Sequence, residues 1–234
     1  MRAERRIPPQ LGNVRLLAQT YLFILKRLFR RMLERHHGFL AGRVLDVGCG
    51  NQPYRYLFDG TYVGLDLSPS RRPTVVGTAD ALPVHTGSFD GVLCLEVIEH
   101  VEDFERVIRE IHRVLRPGGR LLLSAPMSWG LHYEPHDYWR FTPHGLRAVL
   151  RRNGFETREV VRIGGLFALV GSRIVEGVTL EARRRLGWMP ARLLHGLLLF
   201  FSVPLSLVFS LAGDLFDRWI SSDAVCHAVC AEKP

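Results

Sequence analysis

Three groups of residues in this chain have the types and spacing to do chemistry. The first is Val44-Leu45-Asp46-Val47-Gly48-Cys49-Gly50-Asn51, an apolar run that ends in a carboxylate and a Gly-x-Gly turn. Glycines, lacking Cβ atoms, let the backbone lie directly against a small ligand. A second apolar run closes on Asp66, and a carboxylate in that position is a bidentate acceptor for a vicinal diol. The second group is Glu96-Val97-Ile98-Glu99-His100, whose i, i+3 and i+4 side chains share a face if the segment is helical. The third, His132-Tyr133-Glu134-Pro135-His136-Asp137-Tyr138-Trp139-Arg140-Phe141-Thr142, is dense in titratable and aromatic groups. His136, His132 and Asp137 are its candidates for moving a proton, because a neutral imidazole titrates near working pH.

These groups need a scaffold, and the chain from Gly42 onward supplies one by alternating β and α patterns. Strands are expected at 43–47, 62–66, 74–77, 91–95, 120–125 and 156–163, with a last one at 224–231. Between the fourth and fifth, Phe104, Val107, Ile108, Ile111, Val114 and Leu115 form one apolar helical stripe, stopped by Pro117-Gly118-Gly119. Another helix starts with Thr142 as N-cap and Pro143 at its first position and ends at Asn153-Gly154. The fold class is therefore α/β, a mostly parallel sheet with helices on both faces. In such sheets a ligand lies beyond the carboxyl ends of the strands. That is where all three groups fall.

Length and composition fit one catalytic domain with additions: 234 residues, 47% hydrophobic. The net charge of +8 is uneven. Residues 1–43 carry ten Lys/Arg and two acids, whereas the rest has 21 basic and 21 acidic residues. A neutral body with a basic arm points to an anionic surface, membrane or nucleic acid. A helix is expected from Asn13 to about His37, with apolar residues at three- and four-residue steps and basic residues in its second half. Cys226 and Cys230 stand roughly 13 Å apart in a strand at ~3.3 Å per residue, too far to bridge. With Cys49 and Cys94 they suggest no disulfide or metal framework, so a reducing compartment is expected, and no signal peptide is read at the N-terminus.

Residues 164–222 break the pattern. They hold the run from Leu193 to Ala212, which has no Lys, Arg, Asp or Glu. If the last strand returns to the sheet, a single membrane crossing is excluded. The expectation is an interfacial helical hairpin broken at Pro204, with a helical lid over the substrate pocket as the alternative. The domains are then 1–41, a basic amphipathic helix; 42–163 with 223–234, the core; and 164–222, the insertion.

In their order, Asp46/Gly48/Gly50, Asp66, Ser88-Phe89-Asp90-Gly91-Val92-Leu93-Cys94-Leu95 and Leu115-Arg116-Pro117-Gly118-Gly119-Arg120-Leu121-Leu122-Leu123 resemble a class I S-adenosylmethionine (SAM)-dependent methyltransferase of the type 11-like kind. The likeness runs over residues 42–154. It implies a Rossmann-like sheet of seven strands, the last antiparallel, and a SAM site made by Asp46, Gly48, Gly50, Asp66, Leu67, Asp80, Ala81 and Leu95. A dinucleotide fingerprint would need a third glycine, and Gly48-Cys49-Gly50-Asn51-Gln52-Pro53 lacks it, which disfavours NAD. Thr78-Ala79-Asp80-Ala81-Leu82-Pro83 departs from the family's usual Asp-Ala-x-x-Leu-Pro, so either Asp80 or backbone near Ala79 would meet the adenine. The second and third groups resemble magnesium-using O-methyltransferases of ubiquinone biosynthesis and small-RNA 2′-O-methylation. That likeness implies Mg2+ on Glu96, Glu99, His100 and His136. The segment at 132–142 and the hydrophobic insertion are similar to a bacterial group of methyltransferases. Together they suggest methyl transfer to a hydroxyl of a hydrophobic or lipid-linked small molecule by a cytoplasmic protein held at the inner face of an anionic membrane. Nucleic acid is the disfavoured partner; RNA O-methylation and a non-catalytic SAM-binding membrane scaffold are the alternatives.

Overall fold

In a computed structural model, the structure describes residues 23–186, 191–217, 219 and 223–234. The start of the basic helix expected from Asn13 lies outside them. Its described part is α1 (Phe23–His36), which buries Met32 and Leu33 while Arg30 pairs with Glu34 on the outer face. The described residues form two compact units: 30–163 with 224–234, and 164–223 with 23–29.

The larger unit is built on one sheet. Its strands are β1 (Val44–Val47), β2 (Tyr62–Asp66), β3 (Val75–Val76), β4 (Phe89–Leu95), β5 (Leu115–Pro126), β6 (Glu156–Ile163) and β7 (Cys226–Glu232), in spatial order β3-β2-β1-β4-β5-β7-β6. Strand β7 is antiparallel to both β5 and β6, and every other pairing is parallel. All four residues of β1 are buried, as a central strand covered on both faces requires. Helix α2 (Phe104–Val114) lays Val107, Ile108, Ile111 and Val114 on the sheet at helical spacing, and Asp103 caps its start by accepting from the Arg106 N–H. Helix α3 (Pro143–Arg152) is capped by the Thr142 hydroxyl, 3.0 Å from the Gly145 N–H, and ends at Asn153-Gly154 as expected.

Strand β5 begins earlier than the pattern suggested. Rather than resuming at Arg120, the chain leaves α2 straight into the strand at Leu115, which pairs with Phe89. The Pro-Gly-Gly stretch is accommodated because Gly118 adopts φ +74°, and its N–H finds the Lys233 carbonyl at 2.8 Å.

The smaller unit contains α4 (Leu166–Leu186) and α5 (Ala191–Phe216). Asp217, just past α5, accepts from the backbone N–H groups of Phe167 (2.9 Å) and Ala168 (3.4 Å) and so caps the first turn of α4. The break expected at Pro204 is not there: α5 runs through it, and residues 187–190, between the two helices, lie outside the described residues. Proline removes one backbone donor, but the remaining turns of so apolar a helix carry it. Leu193, Leu197, Phe200, Phe201, Val208, Leu211 and Leu215 are all exposed, and their spacing places them on one stripe about 33 Å long. Among the described residues, no helix is long and apolar enough to cross a membrane.

Candidate active site

Because β1, β2, β4 and β5 are parallel, the segments that follow them share the carboxyl edge of the sheet. The turn after β1 is set by Gly48 (φ +72°) and Gly50 (φ +52°). A side chain at Gly48 would collide with a methyl of Val97, so only glycine lets this turn approach the segment after β4. Asp66 at the end of β2 accepts from the Gly50 N–H (2.9 Å) with one oxygen and from the Ser68 N–H (2.8 Å) with the other. These bonds fix the carboxylate over the glycine turn. The Arg71 guanidinium lies 3.7 Å from it.

Asp46 is buried and accepts a hydrogen bond from the Tyr62 hydroxyl, a partner the sequence reading missed. Burial pushes its carboxyl up to about 7, although the tyrosine pulls the other way. Leu67 is exposed beside Asp66, and Leu95 is half-buried at the end of β4. Asp80 and Ala81 line a cavity of about 480 Å³ with Leu82, Arg106, Arg109, Glu110 and Arg113, on the α2 side of the turn at 78–81. Cys49 sits inside the glycine turn with its thiol pushed up to about 12, chiefly by burial.

The segment after β4 is not one continuous helix. Glu96 adopts φ +54°, and only Ile98–His100 form a 3-10 turn. The expected common face for Glu96, Glu99 and His100 is therefore absent. The Glu96 carboxylate is held instead by the Ser124 hydroxyl of β5 (2.8 Å) and the Cys226 thiol of β7 (3.3 Å). Glu99 is fully buried, and neither carboxylate oxygen has a hydrogen-bond partner. Burial, reinforced by neighbouring Glu96, pushes its carboxyl far above the ordinary range.

The loop from Met127 to Thr142 folds over this acid. The Tyr138 N–H donates to the Glu99 carbonyl (2.8 Å), and the Trp139 indole donates to the carbonyls of Val101 and Glu102. One ligand atom each from Glu99, His100 and His132 lie within 4.8 Å of one another. The ring of His136 is not part of that group. It meets the Tyr138 hydroxyl at 3.2 Å, while the His136 carbonyl accepts from His100 Nδ1 at 2.6 Å. His132 Nδ1 faces two acceptors, the Gly130 carbonyl at 2.9 Å and Asp137 Oδ2 at 3.3 Å. A carbonyl or carboxylate only accepts, so both Nδ1 atoms carry the hydrogen and both Nε2 atoms keep a lone pair when the rings are neutral. Burial lowers the pKa of His100, which favours that neutral form.

This donor set suits a divalent cation: a buried carboxyl with no hydrogen-bond partner, one oxygen 3.7 Å from His100 Nε2, and two imidazoles whose other nitrogens are already bonded outward. His132 stands where the resemblance put His136. The two histidines are four apart in an irregular loop, and spacing alone could not choose between them.

A sheet of this order with one antiparallel strand, and a glycine turn and a carboxylate bonded to it at the sheet's carboxyl edge, defines a class I methyltransferase fold. Comparison with known proteins agrees. The methyltransferase domain family matches residues 45–123. The chain is 30% identical over 167 residues to a ubiquinone biosynthesis O-methyltransferase of Pseudomonas paraeruginosa, covering 55% of this chain and 71% of that protein. It is 36% identical over 130 residues to one from Xanthomonas oryzae pv. oryzae, covering 45% and 54%. A phosphoethanolamine N-methyltransferase of Haemonchus contortus, solved with S-adenosyl-L-methionine, shares the fold with a TM-score of 0.55 at 18% identity, over 97% of this chain and 58% of that one. The chain belongs to the class I SAM-dependent methyltransferases and is an enzyme of that class.

Proposed function

We propose that this methyltransferase alkylates a hydroxyl group of a hydrophobic or lipid-linked small molecule at the cytoplasmic surface of a membrane. The observation that carries the hydroxyl reading is the Glu99 carboxylate, buried without a partner beside two imidazole lone pairs at the carboxyl end of β4. The relatives named as ubiquinone biosynthesis O-methyltransferases support it.

Asp66 holds the ribose diol of SAM, and the Gly48–Gly50 turn with Asp46 holds its amino-acid end. Leu67, Leu95, Asp80 and Ala81 would surround the adenine and the sulfur. SAM supplies an electrophilic methyl on a sulfonium. The chain's task is then alignment of an acceptor oxygen in line with that carbon. Glu99, His100 and His132 would hold a divalent cation, which lowers the pKa of a bound hydroxyl and fixes its orientation. His136, exposed on the loop beside Tyr138, would take the hydroxyl proton, with Asp137 and His132 ordering the loop around it. Glu96 is the anchor that ties this segment to β5 and β7.

The exposed apolar stripe of α5 supports the membrane surface as the place of work, together with the excess positive charge of residues 1–43. Stable anchoring generally needs two such signals. Transfer of a labelled methyl group from SAM into separated lipid, RNA and protein pools tests the acceptor class. Label in a base-stable ether of the lipid pool is expected; label confined to RNA or protein overturns the reading. Co-sedimentation with anionic vesicles tests the surface. Replacing Phe200 and Leu211 with Ser should release the protein, since each side chain contributes about 1.5–3 kcal/mol when buried.

A further inference from the structure

Arg140 spends its whole guanidinium on the segment that carries His132. Its Nε donates to the Trp129 carbonyl (2.8 Å) and its Nη2 to the Gly130 carbonyl (2.8 Å). The same fork grips both oxygens of Asp137, at 2.7 and 2.8 Å. Asp137, its side chain only 1% exposed, in turn accepts from the His132 backbone N–H (2.8 Å) and faces the His132 ring at 3.3 Å. The ring stands edge-on to His100 with centroids 4.7 Å apart. Nothing in the SAM site needs this arrangement.

We propose that Asp137, clamped by Arg140, is the positioning residue that, together with the Gly130 carbonyl held by the same arginine, fixes the His132 ring as the Nδ1–H tautomer and aims its Nε2 lone pair at the point shared with Glu99 and His100. The inference rests on the reading of those three residues as cation donors. It extends that reading to the carboxylate that orders one of them, as outer partners order metal-binding imidazoles in general. Three donors converge on Asp137 Oδ2, namely the His132 N–H, the His132 ring and Arg140 Nη2, whereas only Arg140 Nη1 meets Oδ1. An asparagine here would therefore keep its oxygen toward His132 and Arg140 Nη2 and lose only the bond from Arg140 Nη1, whose donor its NH2 cannot accept. Asp137→Asn keeps the ring's second partner; Asp137→Ala leaves it the Gly130 carbonyl alone.

The test reads the tautomer directly from the His132 ring-nitrogen signals by NMR on metal-free protein at about pH 8, above the ordinary imidazole pKa. A titration with Co2+, followed by its ligand-field absorption, gives the cation affinity independently of turnover. The wild type is expected to show a single Nδ1–H form. In Asp137→Ala the arginine that holds the Gly130 carbonyl loses its anchor, so a mixture of tautomers is expected, with Co2+ binding weaker by about 10- to 100-fold. Asp137→Asn should restore the single form. Asp137→Ala retaining the wild-type tautomer would overturn the proposal. If the wild type itself takes up no Co2+, the cation reading fails, and the metal-free spectra still decide whether Asp137 sets the ring.

Discussion

The two ends of the catalytic edge are built on opposite terms. At the proposed SAM end, two carboxylates already have their partners: Asp66 takes two backbone N–H groups and Asp46 takes the Tyr62 hydroxyl. At the proposed acceptor end, Glu99 is buried without a hydrogen bond, and two imidazoles present lone pairs beside it, that of His100 at 3.7 Å. A finished site binds a ligand that is the same in every turnover without reorganising. An unfinished one keeps a desolvated, protonated acid that gains a partner when a cation displaces the proton or a polar acceptor arrives.

Replacing Glu99 tests that division most severely. Glu99→Leu should lower methyl transfer by about 10²- to 10⁴-fold. Because it removes an unsatisfied buried group, it should also raise stability by about 1–3 kcal/mol, read from denaturant midpoints. A variant that is both less active and less stable would mean the acid is structurally paired after all.

Asp66→Ala should act at the other end alone. Two hydrogen bonds to a charged acceptor, each worth about 1.5–3 kcal/mol, are lost, so calorimetry should show S-adenosylhomocysteine binding at least about 100-fold weaker. Divalent-cation affinity should not change.

Asp46 makes the comparison sensitive to pH. Its folded-state pKa of about 7 lies above the ordinary carboxylate value, so the native state holds a proton that the unfolded chain has lost. Its contribution is therefore most favourable in acid and is lost as pH rises toward about 7. Urea unfolding of Asp46→Asn should show a flatter dependence than the wild type across that window, and parallel curves would contradict the burial argument.

The smallest effect is expected at Thr142. Thr142→Ala removes one cap at the end of the acceptor loop and should cost about 1 kcal/mol, with S-adenosylhomocysteine affinity unchanged.

The SAM end was legible in the sequence because its geometry is local. A strand, two glycines and one acid within eight residues, followed by Asp66, leave few other conformations. The sheet and its antiparallel last strand were legible from the alternation of patterns for the same reason. The acceptor end depends on contacts between distant segments. Cys226 reaches Glu96 from 130 residues away, and the left-handed backbone at Glu96 has no glycine to announce it. The loop path that puts His132 rather than His136 beside His100 is set by Arg140, whose role emerges only once its five donor contacts are seen. Pro204 misled for a related reason: a proline marks a weak point in a helix, and packing decides whether the helix ends there.

The most direct test of the account is methyl transfer from labelled SAM to the hydroxyl acceptors of a bacterial membrane lipid extract, measured before chelation, after it, and after Mg2+ or Mn2+ is returned. The account predicts that ether-linked label disappears on chelation, returns with the cation in the wild type, and stays absent in His132→Ala. Undiminished transfer by chelated enzyme, or by His132→Ala, would contradict the assignment of the Glu99, His100 and His132 cluster as the place where the acceptor is activated.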